Sequence, residues 1–241
     1  MTIETIANRM LTAINPEHGA KPPVKWQQRK SAQTRQRLLE AGIDCLVEHG
    51  YAGLTTAAVA QRCGISRGTM HHHFATRLDL VSAVVEEVFY RRMRAFLQDY
   101  FDAIGERDED LQIELACEAH WRSVHTREYA AYLELTVAAR CDGALAEQFV
   151  PTARRYDAIW NGEMADAFPQ WEAHREAMRL VSDLTQVSQM GLLLHEPVFD
   201  REERIEPIRM LLTSMVKDIY KRGAVQSGAK TDGALSANEA G

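Results

Sequence analysis

Residues 54–80, LTTAAVAQRCGISRGTMHHHFATRLDL, constrain this chain more than any other stretch. They read as a short helix, a tight turn, a second short helix and the start of a third. Thr55 or Thr56 is placed to cap the first helix, and Val59, Ala60 and Cys63 share one of its faces. Gly64 is the natural residue to leave it, because it enters the left-handed region without a Cβ clash. Ile65 is an apolar plug after the turn, and Ser66 caps a second helix from Arg67 to about His73. This is the helix-turn-helix pattern, whose second helix enters the major groove of DNA. The alternative is a buried helical hairpin inside an ordinary bundle. Against it, the second helix offers Arg67, Thr69, His71 and His72 and, beyond Met70, little that requires burial.

The formal net charge of −6 looks wrong for such a module until it is divided along the chain. Residues 21–77 hold nine Lys/Arg and three Asp/Glu, whereas residues 78–241 hold 18 and 29. A basic head on an acidic body draws the head to phosphates and keeps the body off the duplex. Hydrophobic residues make up 46% of the 241, ample for a packed core. No apolar run reaches the roughly 18 residues of a membrane-spanning helix, and MTIETIANRM lacks a signal-peptide core. Four cysteines, at 45, 63, 117 and 141, show no CxxC spacing. A reduced, cytoplasmic protein with structural thiols is expected.

Every other segment reads as helix or break. Residues 1–30 form an N-terminal extension, expected to be partly flexible. Ile3, Ile6, Met10 and Ile14 in it suit a short helix or a frayed leader. KPPVKWQQRK is basic and extended in character, either an arm reaching phosphates or a solvated leader. Gln33–Glu48 is the first firm helix, with Leu39, Ile43, Leu46 and Val47 as its apolar stripe. Thr76 and Asp79 make a capping-box start to a helix from Arg77 to about Ile104, roughly 42 Å long at 1.5 Å per residue. Further helices are expected over 111–125, 128–139, 145–168 with a kink or restart at Pro151, 171–195 and 202–222. The tail over 223–241 is expected to be disordered. The expected architecture is therefore all-α, with about nine helices: a three-helix DNA-binding head over 31–77 and a helical effector-binding and dimerisation domain over 78–222.

The run from Gln33 to Val81 resembles the DNA-binding head of the TetR/AcrR family of bacterial transcriptional regulators. EHGY at 48–51, LTT at 54–56, VAQRCGIS at 59–66, RGTMHHHF at 67–74 and TRLDL at 76–80 carry the resemblance. It implies a homodimer that sets two recognition helices in successive major grooves of a pseudo-palindromic operator, and a small molecule in the body that releases DNA. Two positions depart from the family pattern. His71 stands where a tyrosine is usual, and Arg77 where a lysine is usual. An imidazole at 71 that contacts phosphate would bind more tightly as pH falls through its pKa.

By position, Thr55 and Thr56 offer hydroxyls and backbone N–H groups to phosphate. Arg67 is the candidate base reader, since the bidentate arginine–guanine pair is the commonest specific contact. Gly68 allows close approach, Thr69 suits a thymine methyl or a phosphate, His71 and His72 lie near backbone or bases, and Arg77 grips phosphate. Three consecutive histidines point about 100° apart on a helix, so 71–73 cannot converge on one ion. No metal and no cofactor is expected.

In the body, Met93, Phe96, Trp121, Tyr132, Trp160 and Met164 are candidates for an apolar or aromatic effector pocket, although any one of them alone is more often simple core. Gln186, Gln189, His120 and Arg122 are candidate polar anchors. Leu180, Leu184, Val187, Gly191 and Leu194 line one face of the penultimate helix. Ile208, Leu211, Leu212, Met215 and Ile219 line the last. A four-helix bundle from two subunits would bury both stripes. The leading reading is a ligand-responsive repressor with no catalytic residues. A constitutive DNA-binding regulator is the alternative, as is a helical small-molecule-binding protein or enzyme that keeps a vestigial head. No nucleophile set or phosphate loop with convincing spacing favours the enzyme.

Overall fold

A computed structural model describes residues 3–16, 25–104, 109–167 and 175–238, and no strand occurs among them. The elements are α1 (Ile3–Ile14), α2 (Trp26–Gly53), α3 (Thr56–Cys63), α4 (Arg67–His73), α5 (Arg77–Ile104), α6 (Glu109–Val124), α7 (Arg127–Ala139), α8 (Gly143–Ala167) and α9 (Arg175–His195). A π-helical turn (Arg201–Ile205) then leads into α10 (Glu206–Asn238). Contacts divide the chain into two compact units. One comprises Asn8–Ala95 and His125–Ile159, the other Met1–Ala7, Phe96–Val124 and Trp160–Gly241.

In the first unit, α2 buries Leu38, Leu39, Ile43 and Leu46, while Val47, expected on the same stripe, is exposed. The apolar face of α5 (Leu80, Val81, Val84, Val85, Val88, Phe89) is fully buried. Helix α7 adds Tyr129, Ala131, Tyr132 and Leu135. The outer edge of α2 carries Glu40, Asp44 and Glu48 at successive i, i+4 positions. They receive three arginines from three helices. Arg91 of α5 pairs with Glu40, and Arg127 of α7 with Glu40 and Asp44. Arg62 of α3 reaches Asp44 at 3.1 Å and Glu48 at 2.6 Å. Because α5 and α7 are tied to α2 in this way, the expected boundary at 77/78 falls inside the unit.

The second unit packs α9 and α10 with α6. Val181, Thr185, Gln189 and Leu192 face inward from α9. From the π turn and α10 the inward set is Ile205, Arg209, Leu212, Val216 and Tyr220. Arg209 is buried because its guanidinium lies 4.6 Å above the Trp121 ring and pairs with Glu118 and Glu206, each at 2.6 Å.

Three expectations are revised. The segment expected to be extended is helical from Trp26. The Lys25 backbone N–H donates to Gln28 Oε1 at 3.2 Å, which supplies a start signal that three preceding lysines and prolines obscure. The short N-terminal helix exists and is packed, with Ile6, Met10 and Ile14 buried and the Ile14 carbonyl accepting from the Tyr156 hydroxyl at 3.0 Å. At the other end, α10 continues through the expected disordered tail to Asn238. After Pro207 the chain contains no proline to stop it.

Gly42 shows how tightly α2 meets α5. A Cβ there would lie 2.7 Å from Val84 Cγ2, inside a fully buried, β-branched side chain with little freedom to move. Overpacking of this kind costs about 1–3 kcal/mol, more than the roughly 1 kcal/mol that alanine gains over glycine in a helix. Gly42→Ala is therefore expected to lower the thermal midpoint of the intact protein. An unchanged or raised midpoint would show that the α2–α5 contact is loose.

Candidate nucleic-acid interface

The reading head is assembled by caps. Thr55, not Thr56, caps α3: its hydroxyl oxygen accepts the Ala58 N–H at 3.1 Å. Gly64 ends α3 in the left-handed conformation (φ 65°), with the Gly64 N–H donating to Gln61 and the Ile65 N–H to Ala60, each at 3.1 Å. That paired closure satisfies carbonyls the helix end would leave bare. Arg37 Nη2 adds a bond to the Cys63 carbonyl at 3.1 Å. Ser66 caps α4 by accepting the Thr69 N–H at 3.1 Å, and its hydroxyl pairs with that of Thr69 at 3.0 Å. Thr76 and Asp79 form the reciprocal box that starts α5, at 2.9 and 3.1 Å.

Only Met70 of α4 is buried, together with the following Phe74. Arg67, Gly68, Thr69, His71 and His72 are all exposed on its other side, while Thr55 and Thr56 are half-buried at the mouth of α3. His71 Nδ1 donates to the Ala75 carbonyl at 3.1 Å, which sets its tautomer and leaves Nε2 facing outward. His73 is half-buried, and burial holds its pKa below the usual histidine value, with the charges of His72 and Arg35 acting the same way. His73 is thus a neutral packing group rather than a contact.

The arginines of the head divide sharply. Arg62 is committed to Asp44 and Glu48. Arg35 lies over the Phe74 ring at 4.7 Å. Arg77, expected to grip phosphate, is turned into the head. It donates from Nε to the Leu54 carbonyl at 2.8 Å and from Nη2 to the Tyr51 carbonyl at 3.0 Å. Its Nη1 reaches the Tyr51 hydroxyl at 3.3 Å, and its plane lies over the Tyr51 ring. The reason is geometric, since the rigid fork of a guanidinium meets two carbonyls at once while its flat face covers a ring. Arg67 has no protein partner among the described residues.

Gly68 carries a second clue. A Cβ there would meet nothing closer than Ser66 Oγ at 3.8 Å, an ordinary contact. Nothing inside the head requires glycine at this exposed position.

The candidate effector residues are not brought together. Phe96 and Trp160 meet in the second unit, with ring centroids 5.5 Å apart, and Phe96 also stacks on Tyr100 and lies edge-on to His120. Trp121 is core beneath Arg209. Met93 and Tyr132 belong to the first unit. There Tyr132 is enclosed by Phe89, Tyr129 and Phe149. The side chain of Met164 lies outside the described residues. Gln186 is exposed and lines nothing. Three residues on, Gln189 takes its place: it is 2% exposed, bonded to His120 Nδ1 at 2.6 Å and donating to the Cys117 carbonyl at 3.0 Å. The α9 register decides this, because 185, 189 and 192 face inward and 186 does not. Arg122 is taken up by Asp99 at 2.9 Å.

Caps, left-handed turn and outward-facing α4 together define a helix-turn-helix head joined to a helical body. Residues 38–84 match the family model described as bacterial regulatory proteins, tetR family. An uncharacterised HTH-type transcriptional regulator of Mycobacterium tuberculosis is 31% identical over 197 residues, spanning 79% of this chain and 98% of that protein. The transcriptional repressor AcnR of Corynebacterium glutamicum is 38% identical over 58 residues, 24% of this chain and 31% of that one. The crystal structure of a TetR-family regulator from Rhodococcus sp. superposes with a TM-score of 0.57 at 19% identity, covering 78% of this chain and 99% of that one. The chain belongs to the TetR family of bacterial transcriptional regulators. No helix among its described residues is long and apolar enough to cross a membrane.

Arg77 and Gly68 lead to opposite expectations. Arg77→Lys should lower the melting temperature of the protein, at a cost of about 1–3 kcal/mol of stability, because a flexible ammonium lacks the fixed fork that meets the Leu54 and Tyr51 carbonyls together and the flat face that covers the Tyr51 ring. Gly68→Ala should leave the melting temperature unchanged or raise it, through helix propensity of up to about 1 kcal/mol. It should nevertheless weaken DNA binding in a mobility shift. A Gly68→Ala protein that binds DNA normally would remove the close-approach role.

Proposed function

We propose that the protein is a ligand-responsive repressor that binds a pseudo-palindromic operator as a homodimer and is released by a small apolar or aromatic effector. The observation that carries the DNA-reading half is Arg67. It is exposed on the outer face of α4, it precedes a glycine the head does not need, and it has no protein partner among the described residues, whereas Arg62 and Arg77 are bound within the head. An unpaired guanidinium at the start of a recognition helix suits a bidentate contact with guanine. Thr55 and Thr56 at the mouth of α3 and Thr69, His71 and His72 of α4 would supply groups for phosphate. Repression, rather than activation, is supported by the likeness of a 58-residue stretch of the chain to the transcriptional repressor AcnR.

Dimerisation rests on α9 and α10. Leu180, Val187 and Leu194 are 55, 57 and 54% exposed, and Ile208, Leu211 and Met215 are 39, 60 and 44% exposed. Leu184, Gly191 and Ile219, half-buried, fall in the same two rows. A Cβ on Gly191 would meet no atom within 4 Å, so the backbone there is open to close approach. Leu212 leaves the proposed set, since it is buried against its own subunit. Large contiguous apolar surface of this kind marks an interface. The effector reading rests on Phe96, Tyr100 and Trp160 beside the polar pair His120–Gln189, an apolar wall with a few polar anchors. A constitutive regulator without effector is the second reading, favoured by the close packing of Trp121 and Tyr132.

Three experiments test this. Arg67→Ala should lose about 1–3 kcal/mol of binding to the DNA upstream of its own reading frame, with little change on random duplex. Equal losses on both would contradict base reading. Leu211→Glu should convert the protein from dimer to monomer in sedimentation at micromolar concentration, and a persistent dimer would move the interface elsewhere. A thermal-shift screen with aromatic compounds separates the two readings of the body.

A further inference from the structure

A cleft of about 920 Å³ opens on the face of the first unit behind the recognition helix, between α2, the end of α4 and the first half of α5. Its volume lies within the range of small-molecule sites, about 300–1,000 Å³. Buried Leu39 and Phe74 give it an apolar floor, and the Tyr90 ring lies along one wall. The charged groups around it are unequal in what they can still bind. Its three carboxylates are engaged: Asp79 accepts the Thr76 N–H at 2.9 Å, Glu86 accepts from the Thr152 hydroxyl at 2.7 Å and pairs with Arg155, and Glu87 accepts from Arg91 Nε at 2.6 Å. Arg91 is held by Glu87 and Glu40. Arg35 and Arg94 have no carboxylate partner among the described residues. Each holds its guanidinium carbon over an aromatic ring that lines the cleft, Phe74 at 4.7 Å and Tyr90 at 5.6 Å from the ring centroid. A guanidinium stacked on a ring is oriented but keeps its N–H donors free for a planar oxyanion.

We propose that this cleft binds a small organic dianion, a dicarboxylate or a phosphate ester, between Arg35 and Arg94, with its apolar part on Leu39 and Phe74. The site is separate from the Phe96–Trp160 cluster, which belongs to the other unit. It touches Phe74 and lies beside His73, the last turn of the recognition helix. A bound dianion cancels part of the head's positive charge, which weakens attraction to phosphates.

The test is calorimetric titration of the full-length protein, without DNA, at fixed ionic strength. Phthalate and phenyl phosphate are the two probes, and benzyl alcohol is the neutral comparator. Saturable binding of at least one dianion, with none for benzyl alcohol, is expected. Arg94→Gln and Arg35→Gln should each weaken it tenfold or more, and Arg122→Gln, an exposed arginine of the other unit, should not. Preference for one probe tells carboxylate from phosphate. Melting curves establish that each variant is folded. If Arg35→Gln is not, Arg94→Gln alone decides, since its side chain is exposed. Absence of saturable binding, binding unchanged in folded Arg94→Gln, or an equal loss in Arg122→Gln would overturn the site. In a mobility shift the bound probe should weaken operator binding several-fold, and unchanged operator binding at saturating probe would overturn the coupling to DNA.

Discussion

The row of carboxylates on α2, Glu40, Asp44 and Glu48, is the constraint on which the head depends. It gathers Arg91 from α5, Arg127 from α7 and Arg62 from α3 onto one helix edge. Partly exposed ion pairs contribute little stability singly, because water screens them and long side chains lose freedom. Their effect here is orientation. Arg62 shows it chemically: its hydrogen bonds to Glu48 hold that carboxyl below its usual pKa and raise the pKa of the guanidinium itself. The Arg62 pairs fix α3 against α2, those of Arg91 and Arg127 fix α5 and α7 against the same edge, and α3 carries the turn that leads into α4.

A consequence concerns charge. The basic balance of residues 21–77 suggests a uniformly positive surface, yet much of it is consumed inside the head. Arg62 answers carboxylates, Arg77 bridges carbonyls and Arg37 closes the end of α3. Arg67 is set apart by having no such duty among the described residues. The same contrast separates two glycines. Gly42 is required by Val84, whereas Gly68 is required by nothing among the described residues. A residue type that internal packing does not explain points outward, to a partner.

In the body, α9 and α10 are two-faced. Their inner rows close the core of one unit, and their outer rows leave large apolar side chains in water. Periodicity finds both rows on a helix but does not say which is which when both are apolar. For that reason Leu212 is expected in the outer row although it is buried, and of the two candidate anchors Gln186 and Gln189 only Gln189 faces inward. Burial of Arg209 on Trp121 had no signal in periodicity at all, since an arginine at an inner position reads as a break in the stripe.

The sequence by itself determined the helix-turn-helix, the caps at Ser66 and Thr76, the left-handed Gly64, the limits of α5 and the family, because each follows from contacts within a few residues. Ser66 and Thr69 are a turn apart, and Thr76 and Asp79 likewise, so local chemistry was sufficient. Tertiary structure alone decided which cations are free among the described residues, which apolar row is outside and where the cleft beside Arg35 and Arg94 lies. Arg77 meets Tyr51 and Leu54, Arg127 meets Asp44, and Arg155 meets Glu86, partners far apart in the chain. An arginine looks the same in a sequence whether it binds phosphate or a backbone carbonyl. Only the fold shows what its fork already holds.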